Sequence, residues 1–102
     1  SKFIAMSESY KAIVSDPSKL AAKTKEIFDN YDADKSGFIE PSEFKKCITD
    51  LNNKVSGPAL SDDDLDFAFG LFDTNGDKKL SIDEFSEIVK KFYEELARKE
   101  AQ

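Results

Sequence analysis

The chain of 102 residues is 39% hydrophobic and 35% charged, the balance of one folded domain with a modest core. A formal net charge of −6 argues against an electrostatic grip on nucleic acid or anionic lipid and points instead to cations or basic peptides. With no histidine and a single cysteine, Cys47, the chain lacks the usual means of hydrolase triads, zinc sites and internal disulfides. A lone cysteine suits a reducing, cytoplasmic setting, no apolar run reaches membrane-spanning length, and no signal-peptide pattern opens the chain. Because the first residue is Ser1, the chain is expected to be an excised domain with more sequence before it.

In chain order, KFIAMSESYKAIV spaces Phe3, Met6, Tyr10 and Ile13 three and four apart, which predicts an extra N-terminal helix over residues 1–15. Asp16 followed by Pro17 reads as a stop and a restart, aspartate capping a new helix whose first turn suits proline. That helix places Leu20, Ala21, Thr24, Ile27, Phe28 and Tyr31 along one stripe, and it runs into DADKSGFIEPSE, a stretch too rich in turn-formers to stay helical. Helical spacing resumes with Phe44, Cys47, Ile48 and Leu51, which makes Cys47 a structural thiol rather than a redox switch. The connector NNKVSGPAL follows.

Ser61 with Asp62, Asp63 and Asp64 then marks another helix start, a cap followed by acids near the positive end of the dipole. Its apolar face carries Leu65, Ala68, Phe69 and Phe72. The loop DTNGDKKLSIDE leads to a last helix with Phe85, Ile88, Val89, Phe92, Tyr93 and Leu96 on one side and alternating Lys and Glu on the solvated other. Aligning Asp32 with Asp73 superposes Ile39 on Leu80, Glu43 on Glu84 and Phe44 on Phe85, an internal repeat of two units that need each other's apolar face. The chain therefore divides into the extra helix at 1–15 and a repeat pair at 16–102, with units at about 18–52 and 61–97.

Both loops place oxygen-bearing groups at alternate residues and close with a glutamate, the arrangement that wraps a hard divalent cation in six to eight oxygens. In the first, Asp32, Asp34 and Ser36 supply side-chain oxygens, Phe38 a backbone carbonyl, Glu40 a carboxylate or a water contact, and Glu43 a bidentate closure. In the second, the corresponding residues are Asp73, Asn75, Asp77, Lys79 through its carbonyl, Ser81 and Glu84. Two calcium ions would lower the net charge from −6 to about −2, relieving repulsion among the loop acids.

On these residues the chain resembles a paired EF-hand domain of the calmodulin superfamily, over residues 18 to 97. A narrower resemblance is to the C-terminal half of a ciliate calcium-binding protein; no residue assignment rests on it. The family resemblance implies an all-α fold of two EF-hand helix-loop-helix units, with Ile39 and Leu80 side by side in a short antiparallel bridge between the loops. It also implies a shared core of Phe28, Phe44, Phe69, Phe72 and Phe85.

The sixth loop position holds Gly37 in the first loop and Lys78 in the second. A glycine there permits a turn with positive φ, which a residue bearing a Cβ reaches at a cost of about 1 to 2 kcal/mol. Shifting the register to put Gly76 sixth rescues nothing, since Leu71 and Ile82 would then hold the first and last ligand positions. With its extra carboxylate and its glycine, the first loop is expected to bind more tightly, and both are expected to bind, preferring calcium to magnesium.

Three functions follow as expectations. The first is a calcium sensor that changes conformation and binds a protein or peptide target, a cytoskeletal protein being one class, in the cytoplasm or on the cytoskeleton. The second is a calcium buffer or structural calcium protein that opens little, because Ser36 and Glu40 also resemble loops of parvalbumin-type buffers and the only methionine is Met6. The third is the regulatory domain of a larger enzyme. The chain itself shows no catalytic constellation and is not expected to be an enzyme.

Overall fold

The computed structural model describes residues 9–102, so Phe3 and Met6 of the first predicted helix lie outside the described residues. Five helices are described: α1 (Tyr10–Val14), α2 (Pro17–Tyr31), α3 (Pro41–Lys54), α4 (Asp62–Phe72) and α5 (Ile82–Glu100). Local chemistry sets their starts. The Asp16 carboxylate accepts from the Ser18 amide at 3.0 Å, with Pro17 in the first turn of α2. The Ser61 hydroxyl accepts from the Asp64 amide while the Asp64 carboxylate accepts from the Ser61 amide, a reciprocal box that opens α4.

The four longer helices form two helix-loop-helix units joined by one antiparallel bridge, in which Ile39 and Leu80 exchange backbone hydrogen bonds of 2.9 and 2.8 Å. Both side chains are fully buried. The pairing of units extends into the core as two equivalent edge-on ring contacts: Phe28 of α2 meets Phe85 of α5 at 5.6 Å, and Phe69 of α4 meets Phe44 of α3 at 5.2 Å. In each case the ring that precedes one loop packs against the ring that follows the other. Neither unit can close its core alone, which is the physical content of the sequence repeat.

Phe72 packs against this core but is only partly buried, so it belongs to the core's edge rather than its centre. Ala21 is exposed, and the buried face of α2 is narrower than its sequence stripe, reduced to Thr24, Ile27 and Phe28. Thr24 is tolerated there because its hydroxyl donates to the Leu20 carbonyl at 2.8 Å. Cys47 is fully buried, and desolvation beside Asp50 pushes its thiol up to about 12.

The helix α1 packs on α2 and α5. Tyr10 meets Tyr93 edge-on at 5.5 Å, the Lys54 ammonium lies over both rings, and Glu100 accepts from the Tyr10 and Lys11 amides at 3.1 and 3.2 Å. The Lys99 ammonium donates to the Val55 carbonyl at the end of α3. No helix among the described residues is long and apolar enough to cross a membrane.

Candidate metal centres

Each loop begins where a helix ends on an aspartate. Asp32 and Asp73 leave α2 and α4 with nearly the same backbone angles, φ −78 and ψ 70 against φ −81 and ψ 74. From there each chain turns through the left-handed region twice. In the first loop Lys35 has φ 54 and Gly37 φ 85; in the second Gly76 has φ 69 and Lys78 φ 65. Lys78 thus takes the positive φ expected of it. The second such lysine, Lys35, was missed from sequence, although Gly76 at the matching fourth position of the other loop was its signal.

The turns aim backbone amides at the first aspartate. The Ser36 amide donates to Asp32 Oδ1 at 3.0 Å and to Asp34 Oδ1 at 3.1 Å, and the Gly37 amide donates to Asp32 Oδ2 at 2.9 Å. In the second loop the Lys78 amide donates to Asp73 Oδ2 at 2.9 Å, the Asp77 amide to Asn75 Oδ1 at 3.3 Å, and the Lys79 amide to Asp77 Oδ1 at 3.3 Å. Ser36 also lies within hydrogen-bond reach of Asp32 Oδ1 and of the Phe38 carbonyl through its hydroxyl.

The closing glutamates occupy the third positions of α3 and α5 and reach back across the loop. Glu43 accepts from the Glu40 amide at 2.9 Å and from the Asp34 amide at 3.5 Å, one on each oxygen. Glu84 accepts from the Ser81 amide at 3.0 Å on one oxygen, and from the Thr74 amide at 3.2 Å and the Thr74 hydroxyl at 3.0 Å on the other. Those bonds, the Ser81 amide first, hold Glu84 below its usual carboxyl range. Thr74 was absent from the sequence-predicted set; a hydroxyl at the second loop position, where the first loop has Ala33, was the only signal for it.

Oxygens of Asp32, Asp34 and Glu43 lie within 4.8 Å of one another, as do those of Asp73, Asp77 and Glu84. The Glu40 carboxyl interacts with that of Asp34, which raises Glu40 and lowers Asp34 from their ordinary values. Three acids at such spacing repel unless a cation or a proton stands between them. Asn75 sits beside Asp77, with its amide nitrogen 3.4 Å from Asp77 Oδ2. The Ser81 hydroxyl is already engaged, accepting from the Glu84 amide at 3.2 Å as the cap of α5. Phe38 and Lys79, the matched seventh positions, face each other across the bridge with the Lys79 ammonium 4.2 Å from the Phe38 ring centre.

One atom tests the fit of a metal directly. Asp73 Oδ1 is buried with no hydrogen-bond partner among the described residues, although it belongs to a loop whose other donors converge. A buried carboxylate oxygen left unpaired costs free energy that a bound cation would recover. Both donor sets consist of oxygen alone, the preference of a hard ion such as calcium, and the residues fit it.

Known proteins are similar to this chain in sequence. A family model described as an EF-hand domain pair matches residues 22–90. The chain is 41% identical over 75 residues to parvalbumin beta of Opsanus tau, covering 70% of the chain and 67% of the relative. It is 39% identical over 72 residues to parvalbumin beta of Scomber japonicus, covering 71% of the chain and 64% of the relative. With calretinin of Gallus gallus the identity is 36% over 67 residues, 63% of the chain and 25% of the relative. The chain thus spans about two thirds of the length of the parvalbumins it matches and about a quarter of calretinin.

Proposed function

The chain belongs to the EF-hand family and is a calcium-binding module, and from that premise we propose that it holds two calcium ions and acts as a sensor for a protein or peptide target. The proposed ligands of the first ion are Asp32, Asp34, Ser36, Phe38, Glu40 and Glu43; those of the second are Asp73, Asn75, Asp77, Lys79, Ser81 and Glu84. Bound calcium supplies positive charge between carboxylates that otherwise repel. The hands are assigned to about 18–52 and 61–97, preceded by an N-terminal segment at 1–15 whose described helix is α1, shorter than expected because Ser9 is extended and caps it at Tyr10.

Glu43 and Glu84 are the levers. Each is rooted in the first turn of the helix that follows its loop, so a shift of either carboxylate carries α3 or α5 with it. The observation that carries the sensor reading is a groove of about 390 Å³ lined by Phe44, Ile48, Leu60, Phe72, Ile88 and Phe92, between α3, α4 and α5. It is almost wholly apolar and open to the surface, and no described residue of α1 lines it. Instead, α1 lies on α2 and α5 around Tyr93, so its described part does not serve as a plug. A cytoplasmic location, which the free thiol of Cys47 suits, belongs to the same proposal.

A second reading, a buffer that opens little, is favoured by the identity to parvalbumin beta, 41% over 75 residues. Fluorescence of a hydrophobic dye separates the two. The sensor reading expects dye binding that rises with calcium and is lost in the Glu43→Gln, Glu84→Gln double variant. Equal dye fluorescence with and without calcium, while calorimetry shows the ions bound, makes the protein a buffer.

A further inference from the structure

Outside the groove, the face of α4 turned away from the core carries two large apolar side chains that the calcium sites do not use. Phe67 is 71% exposed and Leu71 62% exposed, four residues apart and therefore neighbours on one ridge. Beside Leu71 lies a shallow depression of about 400 Å³ floored by Phe72 and bordered by Asp83, Glu84 and Glu87. Asp63 continues the ridge one turn earlier. Among the described residues, Asp63, Asp83 and Glu87 form no ion pair within 4.0 Å, whereas Asp62 and Asp66, on the other side of α4, approach Lys45.

A soluble helix normally places charge where Phe67 and Leu71 stand, because an exposed apolar pair gains nothing in the isolated chain. We propose that this ridge is a second docking surface, adjoining the groove at Phe72 and Lys91, for a cationic amphipathic helix. Its apolar residues would cover Phe67 and Leu71, and its lysines or arginines would meet Asp63, Asp83 and Glu87. Charge selects this occupant over a second copy of the chain, since two copies would bring acidic rims together on a molecule that stays at about −2 even with two calcium ions bound. Among the described residues, Lys91 is the one cation bordering the depression, and it lies at the edge shared with the groove.

The test uses the whole calcium-loaded chain and a synthetic leucine–lysine amphipathic peptide bearing a nitroxide, with a leucine–glutamate peptide as its counterpart. Broadening of amides between Asp63 and Leu71 and between Asp83 and Glu87 is expected with the lysine peptide alone. Phe67→Glu combined with Leu71→Glu should weaken its binding about tenfold or more, while Leu60→Glu at the groove leaves it unchanged. Both ridge positions are exposed, so helical content by circular dichroism should be unaltered in the variants. Broadening confined to the groove and abolished by Leu60→Glu overturns the proposal, as does equal binding of the glutamate peptide. Self-association of the chain that Phe67→Glu removes would assign the ridge to a second copy and overturn it too.

Discussion

The two loops carry the same pair of residues in opposite order at their left-handed positions, Lys35 then Gly37 in one and Gly76 then Lys78 in the other. From sequence, the lysine at the sixth position looks like a defect of the second loop alone. With both loops in view, each places one Cβ-bearing residue at positive φ and spares itself the other. The sixth position also adapts: Gly37 sits at φ 85, beyond the range an L residue favours, while Lys78 relaxes to φ 65, inside it. Backbone strain therefore separates the sites far less than a motif comparison suggests. What still separates them is charge and support. The first loop has a fourth carboxyl, Glu40; the second has Thr74 holding Glu84 and an unpaired oxygen on Asp73.

The largest effect should come from the closing glutamates. Glu43→Gln and Glu84→Gln are each expected to weaken their own site about a hundredfold, measured by calcium titration with site-resolved amide shifts. The site surviving in Glu84→Gln should be the tighter of the two, and a reversed order would show that the extra carboxylate of Glu40 does not decide affinity.

Next in size are the glycine restorations. Lys35→Gly and Lys78→Gly should tighten their respective sites by similar factors, up to about tenfold, if positive φ costs each loop alike. A gain from Lys78→Gly without one from Lys35→Gly would return the strain to the second loop only. Thr74→Ala should weaken the second site by about fivefold, near 1 kcal/mol, through loss of the hydroxyl that positions Glu84. The first site serves as the internal control, and isothermal titration reads both. Smallest of all, a double-mutant cycle over Phe38→Leu and Lys79→Ala should give a coupling of about 0.5 kcal/mol in thermal unfolding, the measure of contact between the loops beyond the Ile39–Leu80 bridge. A coupling of zero would leave the Ile39–Leu80 bridge as the energetic contact between the two loops.

Most of the helix boundaries were legible because their causes are local. Asp16–Pro17 and the Ser61–Asp64 box act within four residues, and the structure starts α2 and α4 where those residues stand. The convergence of Asp32, Asp34 and Glu43, and of Asp73, Asp77 and Glu84, was legible for a related reason, since alternate positions in a tight turn share a centre. Ala21 was misread because periodicity identifies a face and not its width, and only the neighbours of α2 decide where the face ends.

The sequence by itself determined that this chain makes two helix-loop-helix units with oxygen-lined loops and that the units must pair. Those properties depend on spacing along the chain, where one residue's role follows from its near neighbours. Only the tertiary structure decided that Phe28 meets Phe85 while Phe69 meets Phe44, that α1 settles against Tyr93 and not in the groove, and that Phe67 and Leu71 face solvent. Each of these depends on which surfaces remain after two amphipathic units have covered one another. That remainder is a property of the packed whole, and no window of sequence contains it.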